Sequence, residues 1–388
     1  PGPRPWHPGA VTERIETVVI GGGLMGSAAA WQLARRGREV LLLERFEQLH
    51  HHGASHGTTR NFNVGYTQPH YLELVTEAGR LWRELESESG ADILDLVGQT
   101  NHGKGVPDDH ADILRAHGIA AEWLAVDEAR ERWRGIAFDT KVLYTPDGGR
   151  LNPERAIAAF QAVAVEGGGR VRHGARVLRI GETSGGAVEV VTEGETYLAE
   201  QVIVTVGGWT DKLVGGLVSY PRLIVTQEQP AHFSVIDHGA DWPSFNHVRA
   251  LGDPQYDYWH SNIYGMLTPG EGVKAGWHAV GPHVDPDDRS YEYEPKMMEH
   301  LRRYAREYLI GTDPDRFAAV SCTYTTTPDE AFVLDRRGPI ILGAGFSGQG
   351  AKFTPAIGRV LADFVTDPDA RPIPAFAADR FGTAVKGW

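Results

Sequence analysis

The chain has 388 residues, enough for two domains rather than one typical core, and the composition of an ordinary globular protein. Its formal net charge of −13 argues against nucleic acid and anionic membrane as partners, because both demand a basic surface. A single cysteine, Cys322, excludes an intramolecular disulfide and leaves the cytoplasm as the expected compartment.

Residues 1–16 hold four prolines and no apolar signal-peptide segment, and read as a flexible or surface-draped tail. Residues 17–44 then run through a β-branched segment, a glycine cluster, an Ala/Leu-rich helical pattern and a second apolar run that ends in an acid. Gly21, Gly23 and Gly26 fit G-x-G-x-x-G between an expected strand and an expected helix. Gly21 permits the tight turn, Gly23 lets the backbone approach a pyrophosphate, and Gly26 allows the helix to pack closely on the strand. The helix N-terminus, with Leu24 and Met25 in its first turn, offers free N–H groups to phosphates, while Glu44 is spaced to accept hydrogen bonds from an adenosine ribose. An ADP moiety is implied; the motif does not separate NAD from FAD. The uncharged stretch 17–34 is too rich in glycine for a membrane span and suits a strand, turn and helix buried in a parallel sheet.

Residues 45–61 form a long polar loop, and long loops in compact domains are often functional. His50, His51, His52 and His56 lack the spacing and the acid of a zinc helix, so no metal is expected and the loop reads as mobile or cofactor-facing. The spacing of Leu72, Val75, Leu81 and Leu85 predicts an amphipathic helix over 69–89, with Trp82 as a core anchor. Residues 98–133 read as short elements. A second helix is expected over 151–166, capped by Asn152 with Pro153 at its first position. Strands are expected over 170–180, 187–192 and 201–206, the last running into a glycine turn at Gly207 and Trp209 that suggests a return to the cofactor sheet. From 220 to 320 aromatics and prolines are dense and helical periodicity is confined to 294–308, which implies a largely β second domain. Gly343, Gly345 and Gly348 make another G-x-G-x-x-G between a strand and a helix, but no strand ending in an acid follows, and Gln349 breaks the G-x-S-x-G hydrolase pattern. That helix N-terminus suits a delocalised anion such as a reduced isoalloxazine ring.

Five stretches in this order resemble the FAD-dependent amine oxidases of the monomeric sarcosine oxidase and N-methyl amino acid oxidase group, within the D-amino acid oxidase superfamily. They are GGGLMG at 21–26, SHGTTR at 55–60, NIYG and VKAGWH within 262–278, SCTYTTTPDE at 321–330 and GAGFSGQGAKF at 343–353. The resemblance implies an α/β fold: a glutathione-reductase-like FAD-binding domain with a parallel sheet, assembled from 17–90, 150–219 and 320–388, and a β-rich substrate domain from 91–149 and 220–319. It implies FAD, attached as a thioether through Cys322, which stands in a C-x-Y-T segment with Tyr324 and Thr325 ahead of Glu330. Lys274 aligns with the lysine held near flavin N5, Arg60 after Thr59 with the arginine over the flavin face, and Tyr264 and His278 with active-site positions. Arg45, Ser55, His56, Val177, Gly207 and Trp209 join the cofactor contacts, as do Gly345, Phe346, Gly348, Gly350 and Lys352. Tyr324, Tyr264 and Lys352 are also expected at the substrate.

One departure from the family pattern bears on the substrate. In sarcosine oxidases a second arginine, three residues after the first, clamps the substrate carboxylate together with a lysine. Here the lysine is Lys352, but the arginine position is Asn63, and no Arg or Lys between Asn61 and Gly79 replaces it. A charge-assisted hydrogen bond is worth about 1.5 to 3 kcal/mol, roughly ten- to a hundredfold in affinity, so sarcosine itself is disfavoured. Tyr256, Tyr258 and Trp259 read either as core or as a receiver for a larger or cationic amine. The implied reaction is oxidation of a secondary or cyclic amine, N-methylated or imino-acid-like, to an imine, with O2 reduced to H2O2 by a monomer or small homo-oligomer. The rivals are a dehydrogenase using another electron acceptor, an NAD(P)-dependent reductase and a non-catalytic flavin-binding module.

Overall fold

The computed structural model describes residues 13–382. Most of the expected tail, residues 1–16, lies outside the described residues, but its last part is not tail. The first strand begins at Glu13, and Glu13, Arg14 and Ile15 already pair with Tyr197, Leu198 and Ala199.

That strand, Glu13–Ile20, runs parallel to Val40–Leu43 on one side and Thr196–Val204 on the other, and Arg170–Arg172 and Ile340–Ala344 extend the parallel set. Side chains alternate along each strand, so both faces of this sheet must be covered. Val19, Leu42, Ile203 and Ile341 pack in a core with helices Leu24–Arg35, Pro69–Ser89, Pro153–Glu166 and Thr354–Thr366. Val18, Leu41, Val202 and Ile340 pack in a second core with Ile180, Val188 and Val190 of an antiparallel hairpin.

The helices follow the sequence periodicity closely. Pro69–Ser89 buries Leu72, Val75, Leu81, Trp82 and Leu85 and ends at Gly90 in the left-handed conformation. Pro153–Glu166 starts after Asn152, whose side-chain oxygen accepts the Arg155 N–H at 3.0 Å. Two strand expectations need correction. Residues 170–180 form two strands, because the chain turns at Gly174 (φ +67°): Arg170–Arg172 adds to the sheet edge, and Val177–Glu182 opens the hairpin. The strand expected from 201 begins at Thr196, where Tyr197 and Ala199 are already buried against the first strand.

A second eight-stranded sheet contains Gln99–His102, Glu122–Leu124 and Val142–Thr145 together with Ala231–Val235, Ser244–His247, Ile263–Thr268, Gly272–Trp277 and Thr312–Ala319. Phe233, Phe245, Val273 and Ala275 share a core with Met298, Leu301, Ala305 and Tyr308 of helix Pro295–Tyr308, whose start is capped by the Glu294 carboxylate accepting from Lys296 N and Met297 N at 3.1 and 2.6 Å. Strand alternation then turns His232, Asn246, Tyr264, Thr268 and Lys274 to the opposite face. Tyr256, Tyr258 and Trp259 belong to the covered core, so the reading of this run as a receiver for a larger amine is not upheld. A two-stranded ladder, Ile224–Glu228 with Cys322–Thr326, completes the wall of the site. Among the described residues no helix is long and apolar enough to cross a membrane.

Candidate active site

The glycine motif is stereochemically demanding at its ends. A Cβ on Gly26 would lie 1.9 Å from the Gly21 carbonyl oxygen, and one on Gly21, at φ +100°, would lie 2.5 Å from Thr205 O. Gly23 starts helix Leu24–Arg35 without a side-chain cap of its own; the Ser55 hydroxyl accepts the Leu24 N–H at 3.2 Å instead. Beside this turn the buried Glu44 carboxylate accepts Gly22 N–H at 2.6 Å and Phe46 N–H at 2.9 Å. Burial pushes its pKa up, but the His50 ring and the Phe46 and Gly22 amides outweigh that and leave it below the usual carboxylate value.

A cavity of about 300 Å³ runs from this corner into the molecule. Gly21, Gly23, Leu24, Met25, Glu44 and Ser55 line it at the glycine turn. Arg45, Val177, Gly207 and Trp209 line it as well, and so do Arg60, Cys322, Tyr324, Phe346, Gly348 and Gly350. The two glycine motifs and the lone cysteine, distant in sequence, therefore share one space. An elongated cofactor with an ADP end fits it: at the helix N-terminus Gly23 brings no side chain of its own and only the small Ser55 hydroxyl stands near, and Gly348 is so close to Tyr324 that a Cβ would stand 2.1 Å from the ring. His56, Thr59, Gly345 and Lys352 do not line this cavity. Gly345 instead makes its turn at φ +62°, and the chain passes through a short 3-10 turn, Ala351–Phe353, before helix Thr354–Thr366 begins.

Around Cys322 the charges are unusual. The Arg60 guanidinium donates to the carbonyls of Thr59, Ala54 and His56 at 2.8, 2.9 and 2.6 Å, and lies 3.9 Å from Cys322 Sγ. Lys274, 5 % exposed, donates from Nζ to Thr59 O at 3.5 Å and has no carboxylate partner among the described residues. Burial, with Arg60 adding repulsion, brings its pKa down to about 7. His56 is held neutral by burial and by the same cations, its pKa lowered to about 3. The Thr59 hydroxyl is 2.6 Å from that of Thr268, which is 3.1 Å from His232 Nε2.

The remaining expected residues form a second cluster. Tyr264 hydrogen-bonds Tyr324, and burial raises both phenols. The His278 ring lies 5.4 Å from that of Tyr324, and burial, with Lys352 adding to it, lowers its pKa to about 4. Lys352 Nζ donates to Gln349 O at 2.8 Å and lies 5.6 Å from the Tyr66 ring centre; burial lowers its pKa to about 7. Trp82, the helix anchor, donates its indole N–H to Lys352 O at 3.0 Å and so holds that turn. Asn63 uses its side-chain oxygen locally, accepting Gly65 N–H at 2.9 Å.

Several contributors had no sequence signal. Asp287 accepts from Arg45 at 2.7 Å, Trp209 at 2.8 Å and Lys212 at 2.6 Å, bringing a segment that connects strands Gly272–Trp277 and Thr312–Ala319 of the second sheet to the cofactor cavity. Thr268, His232 and Glu228 were legible only as strand residues. Among the described residues no group of three His, Cys, Asp or Glu side chains is arranged to hold a metal.

The family described as FAD dependent oxidoreductase matches residues 16–364. The chain is 32% identical to the Probable sarcosine oxidase of Arabidopsis thaliana, over 92% of this chain and 89% of that protein. It is 30% identical to the Monomeric sarcosine oxidase of Bacillus sp. (strain B-0618), over 95% of this chain and 97% of that one. Among solved structures it is similar to the open form of NikD, an unusual amino acid oxidase essential for nikkomycin biosynthesis, with a TM-score of 0.84, 26% identity and coverage of 97% and 99%.

Proposed function

The chain belongs to the FAD dependent oxidoreductase family, and within it we propose that this member oxidises a secondary or cyclic amine to an imine while reducing O2 to H2O2. The observation that carries the reading is Lys274, a buried cation without a carboxylate partner among the described residues, which donates to the same Thr59 carbonyl as the Arg60 guanidinium beside Cys322. When bound, FAD would supply the redox chemistry between the amine and oxygen. The chain supplies binding, orientation and charge. Glu44 and the Gly21–Gly26 turn would hold its ADP end, and Cys322 would be its covalent anchor at the other. The Lys274 ammonium offsets negative charge developing on oxygen.

The relatives named sarcosine oxidase support an amine as substrate, and Lys352 offers it one cation for a carboxylate. Asn63, with its oxygen already engaged by Gly65, adds no second one, which favours an N-methylated or imino-acid-like substrate other than sarcosine. Tyr264, His278 and Tyr324 orient the amine. We place the chain in the cytoplasm as a monomer or small homo-oligomer, in keeping with its single cysteine. Acid precipitation tests the flavin link: the wild-type pellet stays yellow and that of Cys322→Ala is colourless. A colourless wild-type pellet contradicts the link.

A further inference from the structure

Glu228 is 1 % exposed and takes no part in the reaction proposed above. It lies on strand Ile224–Glu228 directly opposite Cys322, and it makes no ion pair among the described residues. Its carboxylate instead accepts the Thr226 hydroxyl at 2.6 Å, Val280 N–H at 3.2 Å and Gly281 N–H at 3.2 Å and 3.3 Å. Those two amides follow Ala279, which has φ +56°. A left-handed residue turns successive N–H groups toward one spot and makes a backbone nest for an anion; for alanine the conformation is strained and persists only when surrounding contacts enforce it.

His278 stands immediately before this turn. Its own N–H is held on the strand side by Asn262 O at 3.1 Å and Ser261 Oγ at 2.7 Å. On the other side the turn cannot shift toward its neighbour, because even a Cβ on Gly281 would lie 2.0 Å from Gln227 O. The carboxylate therefore closes the turn that separates His278 from strand Ile224–Glu228. We propose that Glu228 is a positioning residue: by gripping the 279–281 turn it fixes the His278 ring against Tyr324 in the amine-binding half of the site. This rests on the assignment of His278 to the amine made above.

The test compares Glu228→Ala and Glu228→Gln with wild type, all flavin-loaded. Three quantities are read: hydrogen exchange at the Val280 and Gly281 amides, the NMR signal of the His278 ring identified by its loss in His278→Gln, and KM against kcat for the best peroxide-yielding amine of a panel. In Glu228→Ala exchange at the two amides accelerates about tenfold or more, the His278 signal shifts, and KM rises about fivefold with little change in kcat. Glu228→Gln, which keeps one acceptor oxygen, recovers most of the protection and of KM. Unchanged exchange overturns the proposal, and so does faster exchange with an unmoved ring signal. If the alanine variant does not fold, Glu228→Gln decides alone: a partial acceleration at these amides with a shifted ring supports the role, and wild-type behaviour removes it. A wild type that releases no peroxide from any amine sinks the amine-oxidase reading instead, while exchange and the ring signal still decide the role of Glu228.

Discussion

Lys274 and Lys352 are 5 % and 7 % exposed, and neither has a carboxylate partner among the described residues. Buried cations of this kind are held for an external anion or for chemistry, since burial without a partner is unfavourable. Lys274→Met should therefore slow reoxidation of the flavin by oxygen far more than its anaerobic reduction by amine; equal effects in rapid-mixing kinetics would contradict the role given to the ammonium. Lys352 makes a prediction about pH. Its folded pKa is about 7, against roughly 10.4 for an unfolded lysine. Below about 7 both states are protonated and the burial penalty is full; between about 7 and 10.4 the unfolded chain binds more protons, so stability rises with pH. Urea midpoints should show Lys352→Met ahead of wild type below about pH 7, with the gap closing toward roughly pH 10. The identity of these lysines was readable from VKAGWH and GAGFSGQGAKF, but their isolation from carboxylates was not. Glu228 was illegible for the opposite reason: a glutamate in a strand reads as solvent-facing, and only the Ala279 turn from a distant strand makes it an anchor.

At the level of elements, the contact that governs the cofactor turn is the approach of helix Leu24–Arg35 to its strand at Gly26. With only 1.9 Å between the place a methyl carbon would take on residue 26 and Gly21 O, Gly26→Ala must displace the helix, the strand or both. Overpacking of this kind costs about 1 to 3 kcal/mol and moves the phosphate-facing N–H groups. The expected result is a lower urea midpoint together with purified protein depleted in flavin; wild-type flavin content and stability would contradict it. The helices were largely legible, because Leu72, Val75, Leu81 and Leu85 share one stripe, Asn152 is a true cap, and the periodicity over 294–308 is that of helix Pro295–Tyr308. Strand limits were less so. Gly174 breaks 170–180 in two, and Thr196 starts early because its strand has a partner that only the assembled sheet provides.

In the whole molecule the first sheet presents the glycine turn and Glu44 to the cofactor cavity, which Arg60 and Tyr324 also line, while the second turns Lys274 to Thr59 and Tyr264 to Tyr324 from the face away from its own core. Period-two alternation explains that division of labour: Val273, Ala275 and Phe245 hold the helix Pro295–Tyr308, and their neighbours are left for chemistry. Contacts across the cavity, such as Arg45 with Asp287, join residues 242 apart in sequence and leave no trace in local pattern. The family resemblance foresaw the overall arrangement because its motifs are spread along the chain, whereas the aromatic run 256–259, judged by composition, proved to be core. A flavin in this cavity is expected to be reduced by an amine and restored by oxygen. The direct measurement is the visible absorbance of the purified protein when secondary and cyclic amines are added without air, followed by admission of air and a peroxide assay. The expected result is bleaching by an amine, weak or absent with sarcosine, then full return of colour with one H2O2 formed per flavin. Absorbance that no amine bleaches, or that NADPH bleaches instead, would contradict it.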